Sequence, residues 1–311
     1  MPTNNKIAVL AANRWTIVSL VLGFLVSFFT CLGVVRYNVI QAEESVSAAA
    51  EAAADAVVNR LKLYQYGLRG ARGSIQTMAE EDITRRSFDR YSLTRDVDEE
   101  FPGARGFGFV RRVPLQDETD FLAQARADGW PDFAIRQLTP HEGERYVIQY
   151  INPLERNSTA IGLDIASEAN RRQAAISSMR TGEVRLTGPI TLVQTSGLAQ
   201  QSFLILMPIY SGGVTPPTPE ARESQTLGWS YAALSMSGVL EGLLPAEQEV
   251  SLELNDVSDA AHSIRFYSYD DQPSQDIVYS HTTERDVYGR RWQLQFGVHP
   301  SFINQLNQVS P

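Results

Sequence analysis

The 311-residue sequence is short of the residue types that carry covalent and metal chemistry. It has one cysteine, Cys31, so it can form neither an intrachain disulfide nor a cysteine zinc cluster. Its four histidines, His141, His262, His281 and His299, lie scattered without ligand spacing. No nucleophile elbow occurs, and no Ser/His/Asp set can be argued from sequence order. The glycine-rich "GARGFGF" has no strand–helix context, so a turn explains it better than a phosphate loop. Lysine is nearly absent: Lys6 and Lys62 are the only two. With 27 basic against 36 acidic residues and a formal charge of −9, the chain lacks the basic surface that nucleic-acid binding requires. No enzyme activity, metal or cofactor is expected of this region.

Long apolar runs are also scarce, with one exception. Residues 15–35, "WTIVSLVLGFLVSFFTCLGVV", carry no charge. As a helix they span about 30 Å, enough to cross a bilayer. Arg14 and Arg36 bracket the run, and Trp15 and Tyr37 sit where interfacial aromatics belong. It is long for a signal-peptide core and lacks a convincing cleavage site, so it reads as an uncleaved anchor. Cys31 then lies within the membrane. Lys6 and Arg14 face no acid on the short N-terminal side, whereas Glu43, Glu44 and Glu51 follow on the other. The positive-inside rule puts residues 1–14 in the cytoplasm and 37–311 outside, in the periplasm of a Gram-negative cell.

No proline interrupts residues 37–100. Val46, Ala50, Ala53, Val57, Leu61, Tyr64, Leu68, Ile75 and Met78 recur at helical spacing, which predicts a long stalk-helix region able to pair with a second copy. Short strands and helices follow. The spacing predicts strands at about 106–113, 134–138 ("AIRQL") and 145–153, and a helix before Gly129. A further helix is expected with Ser167 as N-cap, Glu168 in its first turn and Gly182 as its stop. "VRLT" and "ITLVQT" read as strands, and "SFLILMPIY", apolar on both faces, as a central one. "SGGVTPPTPEARESQT", 211–226, reads as a boundary, with a second strand-rich unit over 225–305. The fold class is therefore α+β: a transmembrane helix, a long stalk helix, and two tandem sheet-plus-helix units at 101–215 and 225–305.

"FPGARGFGFVRRVP", "YINPLERNSTAIGLDIASEANRRQAAISSMRTGEVRLTGPITLVQ", "FLILMPIY" and "GRRWQLQF" occur in an order and spacing that resembles the CHASE domain. This is the extracytoplasmic sensor of many membrane-bound histidine kinases and diguanylate cyclases. The resemblance covers roughly residues 40–305. It implies two PAS-like subdomains, membrane-distal then membrane-proximal, working as a homodimer between two transmembrane helices. It further implies a small-molecule ligand in the distal subdomain, adenine-type in the plant cytokinin receptors. An aspartate before the helix contacts that ligand and strand residues line its pocket. By position these are Asp164, Leu186 and Thr195. The sequence stops without the second span of the family pattern, which implies the N-terminal portion of a longer receptor of the two-component or cyclic-di-GMP type.

From the residues alone, Asp164 either accepts hydrogen bonds from a ligand edge, or caps its own turn or pairs with Arg171 or Arg172. Leu186 and Thr195 either line a pocket or pack in strands. Phe107 and Phe109 could stack on a flat ligand or belong to the core. Two functions stay open: a small-molecule sensor, and a periplasmic module that recognises a partner protein.

Overall fold

The computed structural model describes residues 4–77, 83–192, 202–243, 250–259, 261–270 and 276–306. Helix α1, Asn4–Gln76, is one unbroken element of 73 residues, about 110 Å long at 1.5 Å per residue. Its stretch from Trp15 is apolar enough to cross a membrane, and side chains there, such as Trp15 and Phe24, are exposed. Beyond Gln41 the helix buries one stripe: Ala42, Val46, Ala50, Ala54, Val57, Leu61, Tyr64, Leu68, Ala71 and Ile75. These recur at steps of three and four, the period of a helix face. Ala54 rather than Ala53 points inward, and Met78 lies outside the described residues.

The stalk region does not run helical to residue 100. After α1 come α2, Arg85–Ser92, and α3, Val97–Glu100. Thr84 and Asp96 stand in extended backbone, and their side chains take up the first N–H groups of each new helix. Such local bonds restart a helix rather than continue one.

A five-stranded antiparallel sheet follows. It is built from β1 (Ala104–Val113), β2 (Arg145–Asn152), β3 (Arg185–Leu186), β4 (Ser202–Tyr210) and β5 (Thr226–Ser235), in the order β2-β1-β5-β4-β3. Helix α4, Glu118–Ala127, connects β1 to β2, and α5, Ala169–Thr181, precedes β3. The expected boundary at 211–226 is corrected here. That stretch holds helix α6, Pro219–Gln225, capped by Thr218 with Pro at its start. The strand after it, β5, is the middle strand of the first sheet, not the start of a second unit. Eight of its ten residues are buried, and a strand covered on both faces belongs inside a sheet. "AIRQL" is also corrected: it contributes a single bridge, Arg136 to Leu163. "ITLVQT" contributes one bridge at Ile190, and its last three residues lie outside the described ones.

Helix α7, Met236–Leu240, leads to a second antiparallel sheet. Its strands are β6 (Val250–Asp259), β7 (His262–Asp270), β8 (Tyr279–Val287) and β9 (Arg290–Val298), in the order β7-β6-β9-β8; helix α8, Pro300–Gln305, closes the described chain. The fold is α+β with a long N-terminal apolar helix and two antiparallel sheets, as expected.

Both sheets lie along α1. One core joins the α1 stripe to Phe107, Leu186, Ile205, Met207, Ala232 and Leu234 of the first sheet, and to Leu252, Leu294 and Phe296 of the second. A separate core fills the other face of the first sheet, where Ile148, Leu204, Leu206, Trp229 and Tyr231 pack under Ala174, Ala175 and Met179 of α5. A small third cluster at the end of α1 holds Ile75, Phe88, Phe109, Tyr150 and Ile209. The second sheet meets the α1 turns nearer the apolar segment: Arg285 on β8 pairs with Glu51 and Asp55. The first sheet meets the far end, where Ser230 donates to Leu68 O at 3.1 Å.

Candidate functional site

Asp164 is fully buried. Residues 162–164 are wedged between Arg136 and the start of β2, with Asp164 N–H donating to Arg136 O at 2.9 Å. One carboxylate oxygen accepts from Tyr146 N–H at 2.8 Å and from Ala166 N–H at 3.0 Å. The other meets His141 Nε2 at 2.7 Å and Gln137 Nε2 at 3.4 Å. The carboxylate therefore caps the short turn 165–167 and ties three segments together. Its side-chain partners are His141 and Gln137, not Arg171 or Arg172.

The residues singled out from sequence do not converge. Phe107 and Leu186 share the α1-side core, Phe109 sits in the small cluster beside Tyr150, and Asp164 supports the α5 side. Phe107, Phe109 and Leu186 all lie on the α1 side of the sheet, which stands between them and Asp164. Thr195 lies outside the described residues.

Helix α5 is capped by Glu168 rather than Ser167. The Glu168 carboxylate accepts from Asn170 N–H and Arg171 N–H, each at 3.0 Å. The Ser167 hydroxyl instead donates to Asp164 O at 2.6 Å and accepts from Leu138 N–H. The helix ends, as expected, at Gly182 with φ +77°, a conformation that costs glycine nothing. Its buried stripe is Arg171, Ala174, Ala175, Ser178 and Met179. An arginine thus holds a core position. Burial pushes its pKa down, partly offset by Glu168 and Tyr231. Tyr231, on the central strand, is fully buried, and its phenol is pushed up by burial.

A separate open cleft of about 790 Å³ lies on the far side of β1 and β2. Phe107 and Arg95 line it with Asp89, Asp96 and Glu155, and Leu93 at its wall is 86% exposed. The Arg95 guanidinium stands 4.5 Å from the Tyr91 ring centroid and 5.1 Å from that of Phe107, within cation–π range.

Residues 81–267 match the CHASE domain. The chain belongs to the CHASE family. The match spans the whole first sheet and, in the second, β6 and the first part of β7. CHASE is a sensory family, so this region is a sensor module rather than a catalytic one, the extracytoplasmic part of a membrane receptor. Among solved structures the CHASE fold here is similar to "Crystal structure of the periplasmic sensory domain of the Campylobacter jejuni chemoreceptor Tlp1". The TM-score is 0.55 and the identity 10%, over 88% of this chain and 100% of that one. At that identity the likeness is one of fold. Among curated proteins, none matches.

Within the CHASE region the sequence reading missed Arg171, Tyr231 and His141. Arg171 had a readable signal, because it falls on the same three-and-four spacing as Ala174, Ala175 and Ser178. His141 had none: its partner Asp164 is 23 residues away.

Proposed function

We propose that this chain is the ligand-sensing input of a bacterial transmembrane receptor. A small molecule binds the α5 face of the first, membrane-distal PAS-like sheet and biases one of two arrangements of a homodimer paired through α1. The bias passes through the membrane to a histidine kinase or diguanylate cyclase type of output. The N-terminus is cytoplasmic and residues 37–311 are periplasmic. The observation that carries this reading is the continuity of α1, which runs unbroken from the apolar segment past both sheets. A ligand that favours one packing of a sheet on that helix thereby favours one state of the membrane segment. Asp164 shapes the α5 side as a structural anchor in this reading.

Thermal unfolding of the protein in detergent against a panel of small solutes tests the binding step. A saturable rise in Tm is expected, because a ligand bound only by the folded state stabilises it. Light scattering tests the dimer, and a monomer at every concentration refutes that part. A second reading, capture of a partner protein, is favoured by the open cleft with Leu93 at its wall. It gains ground if no solute raises Tm.

A further inference from the structure

The α5 face of the first sheet buries a cation that the fold leaves short of partners. Arg171 is 2% exposed. Its Nη2 donates to Thr191 O at 2.9 Å, but its Nε–H has no hydrogen-bond partner among the described residues. The Glu168 carboxylate stands 3.7 Å from that Nε, beyond hydrogen-bonding reach, and both its oxygens already cap α5. From the central strand, Tyr231 is fully buried and its hydroxyl also has no partner among the described residues. Arg171 shares the buried stripe of α5 with Ala174 and Ala175, and Tyr231 belongs to the core cluster that those alanines help to form.

We propose that Arg171 and Tyr231 anchor the carboxylate of the ligand between α5 and β5. This rests on the small-molecule reading given above and names the chemical class of ligand for it. A buried guanidinium with an unmet N–H and a neutral phenol are both donors. A carboxylate supplies oxygen lone pairs to both and balances the buried charge. A neutral or cationic group would leave only the Glu168 carboxylate, 3.7 Å away and not hydrogen-bonded to it, against the arginine's buried charge. A phosphate dianion would exceed the single positive charge, with Glu168 beside it. The rest of the layer is apolar, with Ala174, Ala175 and Trp229, so the ligand is a small monocarboxylate with an apolar body.

The test uses the full chain in detergent, with acetate, propionate and butyrate titrated against chloride at equal ionic strength. Inorganic phosphate and panels of neutral and cationic solutes run beside them. The carboxylates are expected to raise Tm saturably. Half-saturation should weaken by more than about tenfold in Arg171→Gln, and less in Tyr231→Phe. Without ligand, Arg171→Met is expected to melt at or above the wild-type Tm, since it removes a buried cation whose carboxylate neighbour, Glu168, makes no hydrogen bond to it. A lower Tm for Arg171→Met makes the arginine structural and overturns the anchor. So does an unchanged carboxylate response in both Arg171→Gln and Tyr231→Phe; should Arg171→Gln not fold, an unchanged response in Tyr231→Phe alone decides. Responses confined to phosphate, neutral or cationic solutes overturn the anchor and leave the sensor reading standing. No response to any solute class overturns both.

Discussion

Replacing Asp164 with alanine removes the carboxylate that holds residues 141–167 together. Two buried backbone donors, Tyr146 N–H and Ala166 N–H, lose the carboxylate oxygen that accepts them, and His141 loses a partner at 2.7 Å. Each stranded buried donor costs about 1–3 kcal/mol. The two together give a destabilisation of about 4 kcal/mol, before any relaxation. For a unit of this size, roughly 2–4 °C of Tm accompanies each kcal/mol, so Asp164→Ala should melt roughly 8–16 °C below wild type. Asp164→Asn keeps one oxygen for both backbone donors and gives up the charge toward His141, so its cost should be near 1 kcal/mol. Thermal unfolding followed by circular dichroism reads both. An Asp164→Ala protein within about 1 kcal/mol of wild type would refute the reasoning. If that stable variant also lost its ligand response, the carboxylate would be a ligand contact after all.

Other substitutions test neighbouring parts of the argument. Glu168→Ala removes the cap of α5 and should cost about 1 kcal/mol in urea unfolding. Gly182→Ala must hold φ +77° and would bring a methyl 2.8 Å from Thr215 Cγ2, for about 1–2 kcal/mol in the same assay. The hydrogen bond from Arg285 holds the Glu51 carboxyl below its ordinary value of 4.5. A depressed carboxyl stabilises the fold above its unfolded pKa, and that contribution is lost as pH falls through the folded value. Tm should therefore drop below about pH 4.5 in wild type, and Arg285→Ala should flatten that part of the profile. An identical profile in the variant would remove the Glu51–Arg285 pair from the α1–β8 contact.

The sequence carries the fold unevenly. The apolar segment and strand β4 were legible as continuous apolar runs, and the α1 stripe by its three-and-four spacing. The place of β5 was not, because "SGGVTPPTPEARESQT" has the composition of a linker. In the fold, Thr218 and Pro219 start a helix there, and the strand beyond it returns between β1 and β4. The N-cap of α5 was misplaced by one residue because Ser167 is the better capping type, yet Asp164 O and Leu138 N–H already occupy its hydroxyl. For the candidate site, Arg171 lies in the stretch that the sequence singled out, but the groups left unsatisfied there were not legible. An unmet donor is a property of three-dimensional neighbours, and no spacing rule records it.

The position of β3 ties the α5 side to the rest of the molecule. It starts three residues beyond the Gly182 cap. Leu186 N–H donates to Tyr288 O at 3.0 Å, in the turn that joins β8 to β9. The Tyr288 hydroxyl in turn reaches Gln65 on α1 at 3.2 Å. A shift of α5 therefore reaches both the second sheet and α1 through one short strand and one turn. Close-packed cores do not absorb such shifts by gradual deformation; they move between discrete packings. Ligand-dependent protection of Tyr288 and Gly289 amides in hydrogen exchange should accompany any ligand that stabilises the protein. If those amides exchange alike with and without ligand, the signal leaves the α5 side by another route.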